Sequence, residues 1–101
     1  MSKVSLVAKL PLKSDKRDDF IEKFSAMTDA VESEAGTEIY ILNFQADNEN
    51  IAWVYELYTD ADAMTVHSSS DAMGALIGAL GDILDGAPEM IVLTPHSGKG
   101  L

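Results

Sequence analysis

Apolar and polar residues alternate in four short segments of this chain and recur at helical spacing in three others. The alternating or largely apolar segments, which are typical of β-strands, span residues 3–10, 38–45, 51–58 and 89–93. The segments with apolar residues at every third or fourth position, typical of amphipathic helices, span about 15–33, 60–67 and 71–85. Only a polar turn at 46–50 separates the second strand from the third, so these strands should form an antiparallel hairpin.

Helix-capping and helix-stopping residues support this division. Ser14 or Asp15 can cap the first helix, Gly36 follows its end, and Asp60 can cap the second helix. The resulting order, β-α-β-β-α-α-β, predicts an α+β, ferredoxin-like fold in which a four-stranded antiparallel sheet carries helices on one face. A chain of 101 residues with this pattern is expected to form a single domain, 1–101.

The predicted sheet is apolar on both faces, although helices can cover only one of them. In the third strand, alternate side chains project to opposite sides. One side carries Ile51, Trp53, Tyr55 and Leu57, and the other carries Ala52, Val54, Glu56 and Tyr58. Because an uncovered apolar face is unfavourable in water, we expect a second subunit to pack against it. The sequence therefore predicts a homodimer.

Charge and composition narrow the possible partners. The formal charge is −10, from 17 acidic and 7 basic side chains, and such a surface repels nucleic acids and anionic membranes. No apolar stretch is long enough to span a membrane, and no signal-peptide pattern opens the chain, so we expect a cytoplasmic protein. Cysteine is absent and the two histidines stand in no metal-binding motif. We therefore expect no bound metal.

The candidate chemistry lies where the third strand meets the second helix. Glu56 is a carboxylate in an apolar strand, and burying it is costly unless it is paired or functional. His67 follows on a helix that must fold back toward that strand, and an imidazole can exchange protons near neutral pH. We predict His67, Glu56 and Tyr58 as catalytic residues, with His67 as the general base.

Three further residues are candidate substrate contacts. Asn43, Tyr40 and Trp53 can stack on an aromatic substrate or form hydrogen bonds with it. Strand parity places Trp53 on the face opposite to Glu56, so these two are not expected to line one pocket wall. Structural roles are also open: Glu56 and His67 can form a hydrogen-bonded pair that ties the helix to the sheet, and Trp53 can pack in the core or a dimer interface.

The segment from Val54 to Ala63, Val-Tyr-Glu-Leu-Tyr-Thr-Asp-Ala-Asp-Ala, followed by His67, gives the chain a family resemblance. With this pattern the chain resembles the antibiotic biosynthesis monooxygenase (ABM) family over essentially residues 3–100. The resemblance implies a dimeric α+β barrel. It also implies a range of activities, from the oxygenation of quinols and anthrones with O₂ and without metal or flavin to haem degradation and the isomerisation or processing of small signalling molecules.

A departure from the family pattern and the chemistry of O₂ together indicate which of these activities is favoured. Tyr58 stands where the haem-degrading branch is expected to carry Trp, which disfavours haem degradation. A phenol or anthrone that loses a proton becomes an electron-rich anion able to pass an electron to O₂ without a cofactor. We therefore favour a cofactor-independent monooxygenase acting on a small quinol- or anthrone-like aromatic. The alternatives are an oxygen-independent isomerase or small-molecule processing enzyme of the same fold, and a non-catalytic small-molecule-binding dimer.

Overall fold

The strands and helices follow the predicted order. The computed structural model describes residues 2–101. The elements, in chain order, are β1 (Val4–Pro11), α1 (Arg17–Val31), β2 (Thr37–Gln45), β3 (Asn48–Tyr58), α2 (Ala61–Ser68), α3 (Asp71–Leu80) and β4 (Glu89–Leu93). The four strands form one antiparallel sheet in the order β2-β3-β1-β4, which confirms the predicted α+β, ferredoxin-like fold.

Helix α1 begins later than predicted, and neither Ser14 nor Asp15 caps it. The N-cap position is Lys16, whose side chain makes no capping hydrogen bond. Asp15 instead adopts a left-handed conformation, with φ of 71°, in a turn where the Lys16 amide donates to the Lys13 carbonyl over 3.1 Å. Aspartate tolerates this conformation better than most residues. The turn therefore uses the residue that the sequence pattern had assigned to the cap.

Helix α3 ends at Leu80, five residues before the predicted end at 85. The following residues pair with the end of β1 instead of continuing the helix. The Lys13 amide donates to the Ile83 carbonyl over 2.8 Å, and the Asp85 amide donates to the Pro11 carbonyl over 2.9 Å. These bonds to a distant segment engage the Ile83 carbonyl and the Asp85 amide, so the helix does not continue through them.

The hairpin turn between β2 and β3 is tighter than predicted. Only Ala46 and Asp47 form the turn, and Gln45 pairs with Asn48 across it. A register shift follows between Phe44 and Gln45. The polar residues at 48–50, expected in the turn, therefore extend β3, because backbone pairing at the exposed end of a sheet does not require apolar side chains.

The helices cover one face of the sheet and enclose the core against it. Within this core, Phe20 is fully buried and lies with its ring centroid 5.3 Å from that of Phe24 and 6.5 Å from that of Phe44. Phe24 in turn stacks on Tyr40 at 5.5 Å. The buried residues of the cluster are Ala8, Leu10, Leu12, Phe20, Phe24, Met27, Val31, Ala52, Val54, Leu76 and Ile83.

The opposite face of the sheet, which we call the open face, carries no helix. Ile41, Tyr55, Val7 and Ile91 form one cross-strand row across all four strands. Ile41 is 51 % exposed, Tyr55 36 % and Ile91 57 %. Residues 97–101 line a pocket on this face together with Leu57. The apolar row agrees with the two-sided pattern of the sequence.

Gly36 is the position where the start of β2 approaches α2 most closely. The Thr59 amide donates to the Gly36 carbonyl over 2.9 Å, and a Cβ atom at position 36 would overlap the Cβ of Ala63. We expect Gly36→Ala to lower the free energy of unfolding by about 1–3 kcal/mol, as overpacking does elsewhere. Urea denaturation measures this change, and adding Ala63→Gly should restore part of the loss.

Gly78 provides the matched control for this substitution. It lies inside α3, and a Cβ atom there meets no atom of residues 2–101 within 4 Å apart from its chain neighbours and the backbone of its own helix. Gly78→Ala should therefore raise the free energy of unfolding, by about 0.5–1 kcal/mol, because alanine loses less backbone entropy in a helix than glycine. Equal effects of the two substitutions would contradict the assigned contact between Gly36 and α2.

Candidate functional site

His67 lies on α2, a helix of 8 residues that is fixed at both ends. At its start, the Asp60 side chain accepts a hydrogen bond of 2.8 Å from the Ala63 amide. At its end, the Ser70 hydroxyl donates to the His67 carbonyl over 2.8 Å. These local bonds hold a short helix that would be marginal by itself. The His67 side chain, only 2 % exposed, is thereby held against the sheet.

Two glutamates flank the His67 ring, one at each nitrogen. Glu34, from the loop between α1 and β2, places Oε1 2.9 Å from Nδ1. Glu56, from β3, places Oε1 3.9 Å from Nε2, which is too long for a hydrogen bond. Nε2 is buried and has no hydrogen-bond partner within residues 2–101. A buried polar atom without a partner is rare, so this nitrogen is the natural contact for a ligand.

Glu56 and Tyr58 form a second buried pair beside His67. They are two residues apart on β3 and share its helix-covered side, where the Tyr58 hydroxyl donates to Glu56 Oε1. Burial raises the pKa of the Glu56 carboxyl, and this outweighs the opposite effects of the Tyr58 hydrogen bond and of His67. Burial and the hydrogen bond to Glu56 raise the pKa of the Tyr58 hydroxyl. Glu56 therefore holds its proton more tightly than an ordinary glutamate does.

A cavity of about 200 Å³ opens beside these groups, between the α2–α3 segment and the sheet. Glu56, Tyr58 and His67 supply most of its polar groups, and the other walls are mainly apolar. The remaining lining residues are Leu6, Met64, Ser68, Met73, Ile77 and Met90. An imidazole with an unpartnered nitrogen and a carboxyl with a raised pKa thus border one apolar cavity, an arrangement that is chemically suited to proton transfer with a small ligand.

Four of the six residues predicted from sequence come together here. His67, Glu56 and Tyr58 line the cavity. Tyr40 lies behind His67, with its ring centroid 4.9 Å away, and burial together with the nearby glutamates raises the pKa of its hydroxyl. Tyr40 also continues the row of aromatic rings that runs from Phe24 in the core to the site. It supports the His67 ring rather than lining the cavity.

The structure places Asn43 and Trp53 elsewhere, on the open face. Asn43 Nδ2 donates to the Trp53 carbonyl over 3.1 Å, and Trp53 Nε1 donates to Gln45 Oε1 over 3.0 Å. The Lys9 ammonium lies 5.6 Å from the Trp53 ring centroid. Neither residue lines the cavity that Glu56 borders. Trp53 therefore faces away from Glu56, as strand parity requires.

Glu34 was not among the residues predicted from sequence. It lies 33 positions before its partner His67, in a loop that also contains the exposed Glu32. An acidic residue shortly before the helix-stopping Gly36 was the one available signal, and acidic residues are common throughout this chain. Only the three-dimensional packing of α2 against the start of β2 distinguishes Glu34 from the other glutamates.

Two further features bear on what the chain can hold. Within residues 2–101, no group of three or more His, Asp or Glu side chains is placed so as to bind a metal ion. The described helices include none that is both long and apolar enough to cross a membrane.

The fold and the sequence pattern converge on one family. The profile of the family described as antibiotic biosynthesis monooxygenase matches residues 3–79. The chain belongs to the ABM family. No functionally curated protein shows significant similarity to this ABM-family chain.

Solved structures similar to this ABM-family chain come from several organisms. One, from Caulobacter crescentus and provisionally assigned as an antibiotic biosynthesis monooxygenase, is 28 % identical, with a TM-score of 0.90 over 95 % of this chain and 92 % of the other. Rv0793 from Mycobacterium tuberculosis is 23 % identical, with a TM-score of 0.90 over 98 % and 100 % of the two chains. A conserved protein of Methanosarcina mazei is 22 % identical, with a TM-score of 0.90 over 95 % of each. The last two likenesses show the fold.

The raised pKa of Glu56 makes the stability of the protein depend on pH. Because folding favours the protonated carboxyl, this contribution is fully present below the ordinary pKa of 4.5 and is lost as pH rises through the higher folded-state value. Glu56→Gln keeps an acceptor for Tyr58 but cannot ionise. We expect the free energy of unfolding of the wild type, minus that of Glu56→Gln, to fall as pH rises above 4.5.

Urea denaturation over a series of pH values measures this difference. Glu32→Gln makes the same chemical change at an exposed position of the loop before β2 and is the reference variant. A wild type that gains stability over Glu56→Gln as pH rises would show that the Glu56 pKa is lowered rather than raised.

Proposed function

We propose that this ABM-family protein is a cofactor-independent monooxygenase that oxidises a small aromatic substrate with O₂. The observation that carries the proposal is the position of His67, whose buried Nε2 has no hydrogen-bond partner within residues 2–101. His67 borders an apolar cavity together with Glu56, and the pKa of the Glu56 carboxyl is raised. Family membership and the likeness to the Caulobacter protein, at 28 % identity, support an oxygenase over other acid–base chemistry.

The proposed reaction begins with proton transfer to His67. Nε2 takes a proton from a quinol- or anthrone-like substrate, and the resulting anion transfers one electron to O₂, forming a substrate radical and superoxide. These combine through a new carbon–oxygen bond, and the peroxide receives the proton back from His67. Cleavage of the O–O bond with loss of the remaining hydrogen on that carbon releases water and leaves a carbonyl. The substrate supplies all four electrons, so no external reductant is consumed.

Glu56 and Tyr58 have a supporting part in this proposal. A protonated Glu56 can donate a hydrogen bond to the oxyanion that forms when His67 removes the proton. The Tyr58 hydroxyl donates a hydrogen bond to Glu56 Oε1 and so orients the carboxyl. The raised pKa of Glu56 favours this role, because an ionised carboxylate would repel the substrate anion.

The size of the cavity favours a substrate with a single ring. A protein cavity of about 150 Å³ is large enough to bind benzene. The cavity of about 200 Å³ beside His67 therefore suits one substituted ring more than the three fused rings of an anthrone. Three methionines, Met64, Met73 and Met90, contribute to its wall, and thioethers make favourable contacts with aromatic rings.

The open face supports a homodimer as the working form. The row of Ile41, Tyr55, Val7 and Ile91 is apolar and has no helix over it. Packing two such faces together would stabilise the dimer by about 25 cal/mol for each Å² of apolar surface that is removed from water. The cavity lies on the other side of the sheet, so each subunit would keep its own site.

We expect metal-stripped, flavin-free protein to consume O₂ with a small hydroquinone well above the autoxidation rate in buffer. His67→Gln retains a polar side chain of similar size but cannot serve as a general base. It should lower the rate by about 100-fold or more, the usual scale for losing such a group. His96→Ala removes the exposed histidine near the C-terminus and should leave the rate unchanged. An oxygen electrode measures the O₂ consumption rate of the wild type and of both variants.

Each outcome of this assay separates the candidate functions. Uptake that His67→Gln abolishes supports the oxygenase and its base, and uptake that survives assigns the chemistry to another group. Turnover of a quinol or enol in strictly anaerobic buffer would instead support an isomerase using the same acid–base pair. No turnover, with tight ligand binding, would identify a binding protein. Faster oxidation of an anthrone than of a hydroquinone would contradict the single-ring argument while leaving the base in place.

We expect the protein to sediment at twice its chain mass of 10.9 kDa, because dimerisation covers the open face. Ile41→Glu should convert it to a monomer by placing a charge within the apolar row. Val66→Glu is the matched control, since Val66 is 61 % exposed on α2, away from the open face. Analytical ultracentrifugation distinguishes the two, and a wild type that remains monomeric at high concentration would refute the dimer.

A further inference from the structure

We propose that Glu34 is the positioning residue of this site and that it fixes the tautomer of His67. Its carboxylate holds the neutral ring with the proton on Nδ1, which leaves the lone pair on Nε2 facing the Glu56 side. The use of that lone pair as a base rests on the proposed function. The tautomer itself is a property of the resting protein and can be tested without a substrate.

The contact between Glu34 and His67 supports one proton arrangement. Glu34 Oε1 lies 2.9 Å from Nδ1, and an ionised carboxylate can only accept hydrogen bonds. Nδ1 must then carry the hydrogen. The Thr37 hydroxyl also donates to Oε1, over 2.8 Å, and holds the carboxylate in place from the start of β2. Two donors therefore converge on one oxygen, and the ring is oriented by a carboxylate that the strand itself restrains.

The other groups facing the ring cannot take over this role. Glu56 is 3.9 Å from Nε2 and already accepts the hydrogen bond from Tyr58. Tyr40 and Tyr58 approach the ring with centroids 4.9 and 5.5 Å away. These three, with Glu34, are the titratable groups that face His67 from the loop before β2, from β2 and from β3. Within residues 2–101, only Glu34 makes a hydrogen bond to the ring.

The separation of Glu34 from the cavity gives this role a recognisable kinetic signature. Glu34 borders the opposite side of His67 and does not line the cavity. Its removal should therefore lower kcat while changing KM little, because substrate contacts are retained and the base presents the wrong nitrogen. We expect a loss on the order of 100-fold in kcat, the scale for a misplaced catalytic group.

Nitrogen-15 NMR of the imidazole rings tests the tautomer directly. The chain has two histidines, so the exposed His96 provides a reference in every spectrum. The spectrum of His67→Gln contains the imidazole signals of His96 alone, and the signals that it lacks are those of His67. In alkaline buffer, where both rings are neutral, wild-type His67 should show the Nδ1–H pattern. His96 should show the Nε2–H pattern that free histidine prefers in water.

Substitution of Glu34 should change this pattern selectively. In Glu34→Ala, the His67 signals should move toward the Nε2–H pattern while those of His96 stay in place. Glu32→Ala, at the exposed neighbouring position, should leave both rings unchanged. A wild-type His67 with the Nε2–H pattern would overturn the proposal without any variant. An Nδ1–H pattern that survives in folded Glu34→Ala would overturn it as well.

The same samples separate this proposal from the proposed function. If Glu34→Ala does not fold, the wild-type spectrum and that of Glu34→Gln, which retains an acceptor oxygen of the same reach, still decide the tautomer. An Nδ1–H tautomer without O₂ consumption would refute the oxygenase and leave the positioning role intact. O₂ consumption that depends on His67, with an Nε2–H tautomer, would refute the positioning role and leave the oxygenase.

Discussion

The alternation of side chains along β3 is the constraint on which the rest of the structure depends. This strand lies between β2 and β1, so both of its edges are hydrogen-bonded to neighbouring strands and its register is fixed. Its even-numbered residues from Ala52 to Tyr58 are buried under the helices, which carries Glu56 into the interior with them. A shift of register by one residue would exchange the two faces and expose the site. Burial of the apolar neighbours thus forces burial of the carboxyl.

Burying ionisable groups is costly, and the site limits that cost by pairing them. Glu56 accepts from Tyr58, and Glu34 accepts from Thr37 and lies against Nδ1 of His67. The raised pKa of Glu56 lets this residue lose its charge rather than keep it without solvent. Among the side chains of this site within residues 2–101, Nε2 of His67 is the buried polar atom left without a partner. The site therefore concentrates its unmet hydrogen-bonding capacity at one nitrogen beside an apolar cavity.

The sequence predicted the elements well because periodicity reports which side of an element is buried. It predicted the association of Glu56, Tyr58 and His67 for the same reason, since parity and a returning helix place them together. It failed where distant segments decide the outcome: the end of α3 depends on pairing with β1, and Glu34 reaches His67 across 33 positions. It also failed at the start of α1, where Asp15 forms a local turn instead of a helix cap.

The two faces of β3 also divide the proposed roles of the molecule. Glu56 and Tyr58 point to the cavity, whereas Tyr55 and Trp53 point to the open face, and these residues alternate along one backbone. The proposed proton chemistry and the proposed subunit packing are therefore separated by side-chain direction rather than by distance. Because a strand held on one face is restrained on the other, packing of a second subunit on the open face would stiffen the strand that carries Glu56. In the proposed dimer, this one strand would link assembly to the geometry between Glu56 and His67 without any shared side chain.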